Sequence, residues 1–229
     1  MMIRRQLFNE NSQLADLLLA NINLMHILPR FKIDVGVGES TVKQVCEERN
    51  ISIPLFLMVC KVYSLDNYTI SQATVDRIPV DQLLGYLHNS HTDYIENRVP
   101  SVISSIIDIT RSSYGSHFKA FLQKYKEDTD THFAYEEEVL FPYINALLKG
   151  EKTERYNIKE FQANHTNILE SLNDLKNLLI KYAPREVDFE KKRKAISELF
   201  LLEEDLNKHH VIEDEILVAL VSVIENGMR

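Results

Sequence analysis

Polar residues stand at helical spacing where apolar side chains are due. In "THFAYEEEVLFPY", which starts at Thr131, His132 precedes Glu136 by four residues. In "NKHHVIEDEILVAL", His209 precedes Glu213 by the same interval. Positions i and i+4 of a helix lie one above the other on a single face. Each pair therefore points one way, and that way is otherwise apolar. The stripe around the first pair is Phe118, Phe121, Tyr125, His132, Glu136, Val139 and Tyr143. Around the second it is Ala195, Leu199, Leu202, Leu206, His209, Glu213, Ile216 and Leu220. His165 interrupts a third stripe of Ile158, Phe161, Ile168, Leu172, Leu175 and Leu179. His91 interrupts a fourth, of Leu84, Leu87, Ile95, Val99, Val102 and Ile106.

A single histidine on an apolar face is usually a core residue with one hydrogen-bond partner. A single His-x-x-x-Glu is often an intrahelical pair. The whole set asks for more. A buried, uncompensated carboxylate costs several kcal/mol, and two carboxylates in one core repel each other. Metal cations remove that repulsion. Imidazoles and carboxylates without thiolates suit non-haem iron, manganese or zinc, and inward Glu and His in a helical bundle form a recurrent di-iron arrangement. Two glutamates bridging two metals, with two histidines on each, leave an octahedral ion an open position for dioxygen or nitric oxide. "YLHNSH" offers both His88 and His91 on one side of its helix. His91 continues the stripe and is favoured; His88 is the alternative ligand or an outer donor. His210, one step round the helix from His209, is expected to point away. Glu137, Glu138, Asp214 and Glu215 are expected to form a solvated face.

Four long helices must position these residues. The periodicity predicts them over about 80–109, 116–149, 157–182 and 188–224. Pro79 suits an early helical position, Gly150 a C-terminal stop and Pro184 a closing signal. Pro100 and Pro142 fall inside helices and predict distortions there. Seams that alternate between three and four residues, with short connections, imply an all-α, up-down-up-down four-helix bundle over 78–229. Residues 1–77 differ: their apolar patches are shorter, broken by Pro29, Gly36 to Gly38 and Pro54. They predict a small helical N-terminal domain. Within it "STVKQVCEERNIS" starts a helix capped by Ser40 or Thr41. Its helix-turn-helix flavour is shared by domains that bind no DNA.

Composition narrows the partners. The chain has 229 residues, 45% of them hydrophobic, and a net charge of -8. No basic region exists to neutralise phosphates, so no nucleic acid is expected. Cys46 and Cys60 form no CxxC pair. No signal peptide and no apolar run of membrane-spanning length stands out. The expected location is the cytoplasm, with no membrane association.

The motifs "YLHNSH", "THFAYEEEVLFPY", "QANHTNIL" and "DLNKHHVIEDEIL" together resemble the hemerythrin-like family over roughly 80–225. The chain is most similar to the branch of repair-of-iron-centres proteins, which join a short N-terminal domain to a hemerythrin-like bundle. That resemblance implies two non-haem iron ions, oxo- or hydroxo-bridged, held by four histidines and two bridging glutamates. Matched motif by motif these are His91 (or His88), His132, Glu136, His165, His209 and Glu213. The fifth histidine of the oxygen carriers corresponds to Leu169 here, which argues against that set. The Cys-Cys-Gly-Gly motif of the repair proteins corresponds to "FKIDVGVGEST", without cysteine. The resemblance implies a role in nitrosative or oxidative stress or in iron–sulfur cluster repair. Nitric oxide, dioxygen or peroxide would be the small partner. Iron–sulfur proteins and a second copy of the chain are further candidate partners. The alternative is an oxygen or redox sensor, or an iron-binding module without turnover. The residues alone leave open whether the chain is an enzyme.

Overall fold

Apolar residues recurring every three or four positions wind into helices throughout the described part of the chain. The computed structural model describes residues 8–65, 68–110, 115–151, 156–164 and 168–227, and for 115–117 and 163–164 the backbone only. Among them the protein is all-α: helices and short 3₁₀ turns are present and no strand is. The helices are α1 (Leu14–Ala20), α2 (Val42–Glu48), α3 (Ile53–Ser64), α4 (Gln72–Val75), α5 (80–110), α6 (115–148), α7 (Ile158–Asn164), α8 (Ile168–Tyr182) and α9 (189–227). No helix among the described residues is long and apolar enough to cross a membrane.

The chain divides into two compact units. One comprises His91–Tyr143 and Lys159–Asn207, and so takes a length of each long helix. Its core is one cluster drawn from all of them. Val102 and Ile106 come from α5, Leu122 and Tyr125 from α6, Leu172 and Leu175 from α8, and Leu199, Leu202 and Leu206 from α9. Each buried leucine contributes roughly 1.5–3 kcal/mol. α6 packs against both α5 and α8. Polar ties run along the edges. The Ser105 hydroxyl donates to Glu198 at 2.6 Å, Arg98 pairs with Asp205 at 3.5 Å, and Lys176 pairs with Glu203. These contacts fix α9 against α5 and α8.

The other unit comprises Met1–Ser90, Ile144–Ile158 and Lys208–Arg229. Thr41 caps α2 in a reciprocal box with Gln44, which meets two helix-end donors at once. Ser52 caps α3, with Pro54 in its first turn. Phe31 stacks on Tyr86 at 4.7 Å and meets Phe56 edge-on at 5.1 Å. Asn89 donates to the Arg30 carbonyl at 2.7 Å. These contacts hold the N-terminal segment to the start of α5. Gly150, at φ +81°, ends α6 in the left-handed conformation that a glycine adopts without strain. Cys46 and Cys60 are free and buried. Burial pushes both thiols up, Cys46 to about 12, which leaves them inert.

The two internal prolines distort their helices in a specific way. A π-helical turn, Tyr94–Arg98, precedes Pro100. A second, Glu136–Leu140, precedes Pro142. The N–H groups of Val99 and Phe141 donate five residues back, to Tyr94 and Glu136. Proline lacks an N–H and its ring crowds the carbonyl four residues earlier; one extra residue in the turn relieves both. Proline does not explain the third π turn. Glu213–Leu217 in α9 repeats the geometry, with the Val218 N–H donating to Glu213, and "EDEILVAL" contains no proline. What α6 and α9 share is a glutamate opening the turn, and single π turns recur at functional positions.

The extra residue corrects one expectation. Regular spacing places Val139 in the seam of α6, but Val139 is 39% exposed and Leu140 is fully buried. The wider turn carries the seam from Glu136 to Leu140 and Ile144, while Tyr143 stays buried as the spacing places it.

Candidate metal centre

α5 and α6 bring together a first set of buried polar residues. Ser90 and His91 lie on the buried face of α5, with His91 at 1% exposure, whereas His88 is exposed. The His91 ring lies between two phenyl rings of α6. Phe133 stacks on it at 4.5 Å and Phe141 at 5.4 Å, both within 22° of parallel. Phe133 also stacks on Tyr94 at 5.5 Å. This aromatic wall fixes the ring plane and excludes water.

Both nitrogens of that ring face carboxylates. Nε2 is 3.2 Å from Glu136 Oε2, and Nδ1 is 2.7 Å from Glu137 Oε1. The other Glu136 oxygen, Oε1, lies 3.5 Å from His132 Nε2. Glu136 is fully buried and His132 nearly so. One carboxylate thus presents an oxygen to each of two imidazoles, and all three groups are removed from water.

α9 carries a second set of buried polar residues. His209 Nε2 is 2.9 Å from Glu213 Oε1, and both residues are fully buried. His210 is also buried. Among the described residues, His91, Glu136, His209 and Glu213 offer ligand atoms within 4.8 Å of one another. So do His132, His210 and Glu213. Glu213 belongs to both groups. His165 lies outside the described residues.

Two expectations from spacing are corrected. His210 does not point away. It precedes Glu213 by three residues and His209 precedes it by four, and both intervals place a side chain beside Glu213 on the helix surface. The sequence carried that signal. Glu137 does not belong to the solvated face with Glu138; it is 29% exposed and bonded to His91. No local pattern announces this contact, because its partner is 46 residues away. Asp214 and Glu215 are exposed, as spacing places them.

The donor set fits a divalent or trivalent cation. Neutral imidazole nitrogens and carboxylate oxygens are ligands for iron, manganese and zinc. Desolvating Glu136 and Glu213 together is costly unless positive charge is supplied between them. The model of the hemerythrin HHE cation binding domain matches residues 88–221, more than half of the chain and a span that contains every residue of both groups. Comparisons with curated proteins and with solved structures find no match.

Proposed function

From the premise that the chain belongs to the hemerythrin HHE cation-binding family, we propose that it is a non-haem di-iron protein that reacts with nitric oxide, dioxygen or peroxide. The observation that carries this reading is the pair of fully buried carboxylates, Glu136 and Glu213, set among buried imidazoles. Glu136 and Glu213 would hold the metal together with His91, His132 and His209. His165, in the stripe between Phe161 and Ile168, completes the set. Iron bound there supplies a one-electron redox change at each ion and a coordination position for a small diatomic. The chain's part is to hold the ligand rings and keep bulk water out, which Phe133, Phe141 and Tyr94 do around His91.

We place the protein in the cytoplasm, in nitrosative or oxidative stress or in the repair of iron–sulfur clusters. Buried free thiols at Cys46 and Cys60 support a reducing compartment. Those inert thiols also separate this chain from any route that needs reactive cysteines in its N-terminal part. The test is metal analysis of protein purified without added metal, followed by anaerobic ferrous loading. Two irons per chain and consumption of nitric oxide in the presence of reductant are expected. A protein that takes up no iron overturns the reading; a stable adduct without turnover turns it into a binding module.

The two histidines of "YLHNSH" should behave differently in the same assay. His91→Ala should weaken iron binding by more than the roughly 10- to 100-fold that loss of an outer partner causes. His88→Ala should leave the stoichiometry unchanged, because His88 is exposed. The opposite ranking would transfer the ligand role to His88.

A further inference from the structure

We infer that Glu137 is the positioning residue of the centre: it holds His91 in the tautomer and orientation that present Nε2 to the metal. This rests on the metal-binding reading above. The geometry is specific. His91 is held at three points: its ring plane by Phe133 and Phe141, Nδ1 by Glu137 at 2.7 Å, and Nε2 beside Glu136 at 3.2 Å. An ionised carboxylate only accepts hydrogen bonds, so Nδ1 carries the proton it donates to Glu137. The lone pair then stays on Nε2, the nitrogen beside the buried Glu136. A carboxylate behind a ligating imidazole also raises its basicity, and loss of such a partner costs about 10- to 100-fold in metal affinity.

The local backbone explains how one segment supplies both carboxylates. Successive residues of a regular helix diverge by about 100°. Glu136 and Glu137 open the π turn Glu136–Leu140, and from there both reach the same ring, one at each nitrogen. Glu138, the next residue, is exposed. The run "EEE" at 136–138 is thus a buried residue, a half-buried one bonded to a candidate ligand, and a surface one.

The test compares Glu137→Ala, Glu137→Gln and Glu138→Ala in the full-length protein. The probes are ferrous iron under anaerobic chelator competition and cobalt(II) as a spectroscopic reporter. Wild-type protein must bind metal first; if it does not, the metal-binding reading fails and this inference falls with it. Given binding by the wild type, Glu137→Ala should lose about 10- to 100-fold in affinity for one ion. It should also shift the cobalt d–d bands, a signature that loss of packing alone does not give. Glu137→Gln keeps an acceptor oxygen for Nδ1 and should restore most of the affinity. Glu138→Ala should match the wild type in both readouts. Wild-type affinity and an unchanged cobalt spectrum in Glu137→Ala would overturn the inference. If Glu137→Ala does not fold, Glu137→Leu, which keeps the bulk but offers Nδ1 no acceptor, decides: an altered cobalt spectrum supports the inference and an unaltered one overturns it.

Discussion

If the centre holds two ions as proposed, Glu213→Ala is expected to strip the protein of both, the largest single effect in the molecule. Glu213 is fully buried and is the residue common to both groups of candidate ligands. Its removal would delete the carboxylate that the two groups share, together with its negative charge. Glu136→Ala should lose at least one ion, since Glu136 belongs to one of those groups. Each affinity loss should exceed the roughly 10- to 100-fold of an outer partner. Asp214→Ala and Glu138→Ala remove carboxylates of equal charge from exposed positions one and two residues away, and should keep full occupancy. Iron per chain after anaerobic loading and desalting measures all four variants. Equal loss in the four would mean that overall negative charge, and not the buried donors, recruits the metal.

The second large effect is on stability, and its sign should reverse with metal. In chelated wild-type protein, Glu136 and Glu213 remain desolvated beside neutral imidazoles, at a cost of several kcal/mol per buried ion. Metal at a thousand times its dissociation constant stabilises the fold by about 4 kcal/mol. For a chain of this size that corresponds to a rise in Tm of roughly 8–16 °C. Glu136→Gln replaces a buried charge with a neutral amide of the same shape. Without metal the variant should melt at or above the wild-type temperature; with metal it should melt below it. Scanning calorimetry with ferrous iron and with chelator gives the four temperatures. A wild type whose Tm ignores the chelator would show that the buried carboxylates are balanced by protein groups alone.

The sequence by itself determined the helices and the apolar seam around the site. Helical geometry turns intervals of three and four residues into a shared face, so Leu199, Leu202, Leu206, His209 and Glu213 could be placed on one side of α9 without coordinates. Thr41 as a cap and Gly150 as a stop were legible for a similar reason: caps are satisfied within a few residues. Two features required the tertiary structure. The π turns add a residue to each of three helices, and α9 shows that proline alone does not place them. That added residue moves the seam from Val139 to Leu140. The contact of Glu137 with His91 joins positions 46 residues apart, and the regular helical phase of α6 points Glu137 away from the seam. Such a pairing depends on how two helices pack and how one is locally widened. No periodicity within either segment encodes that, which is why the carboxylate that orients His91 was hidden in a run of apparently solvated glutamates.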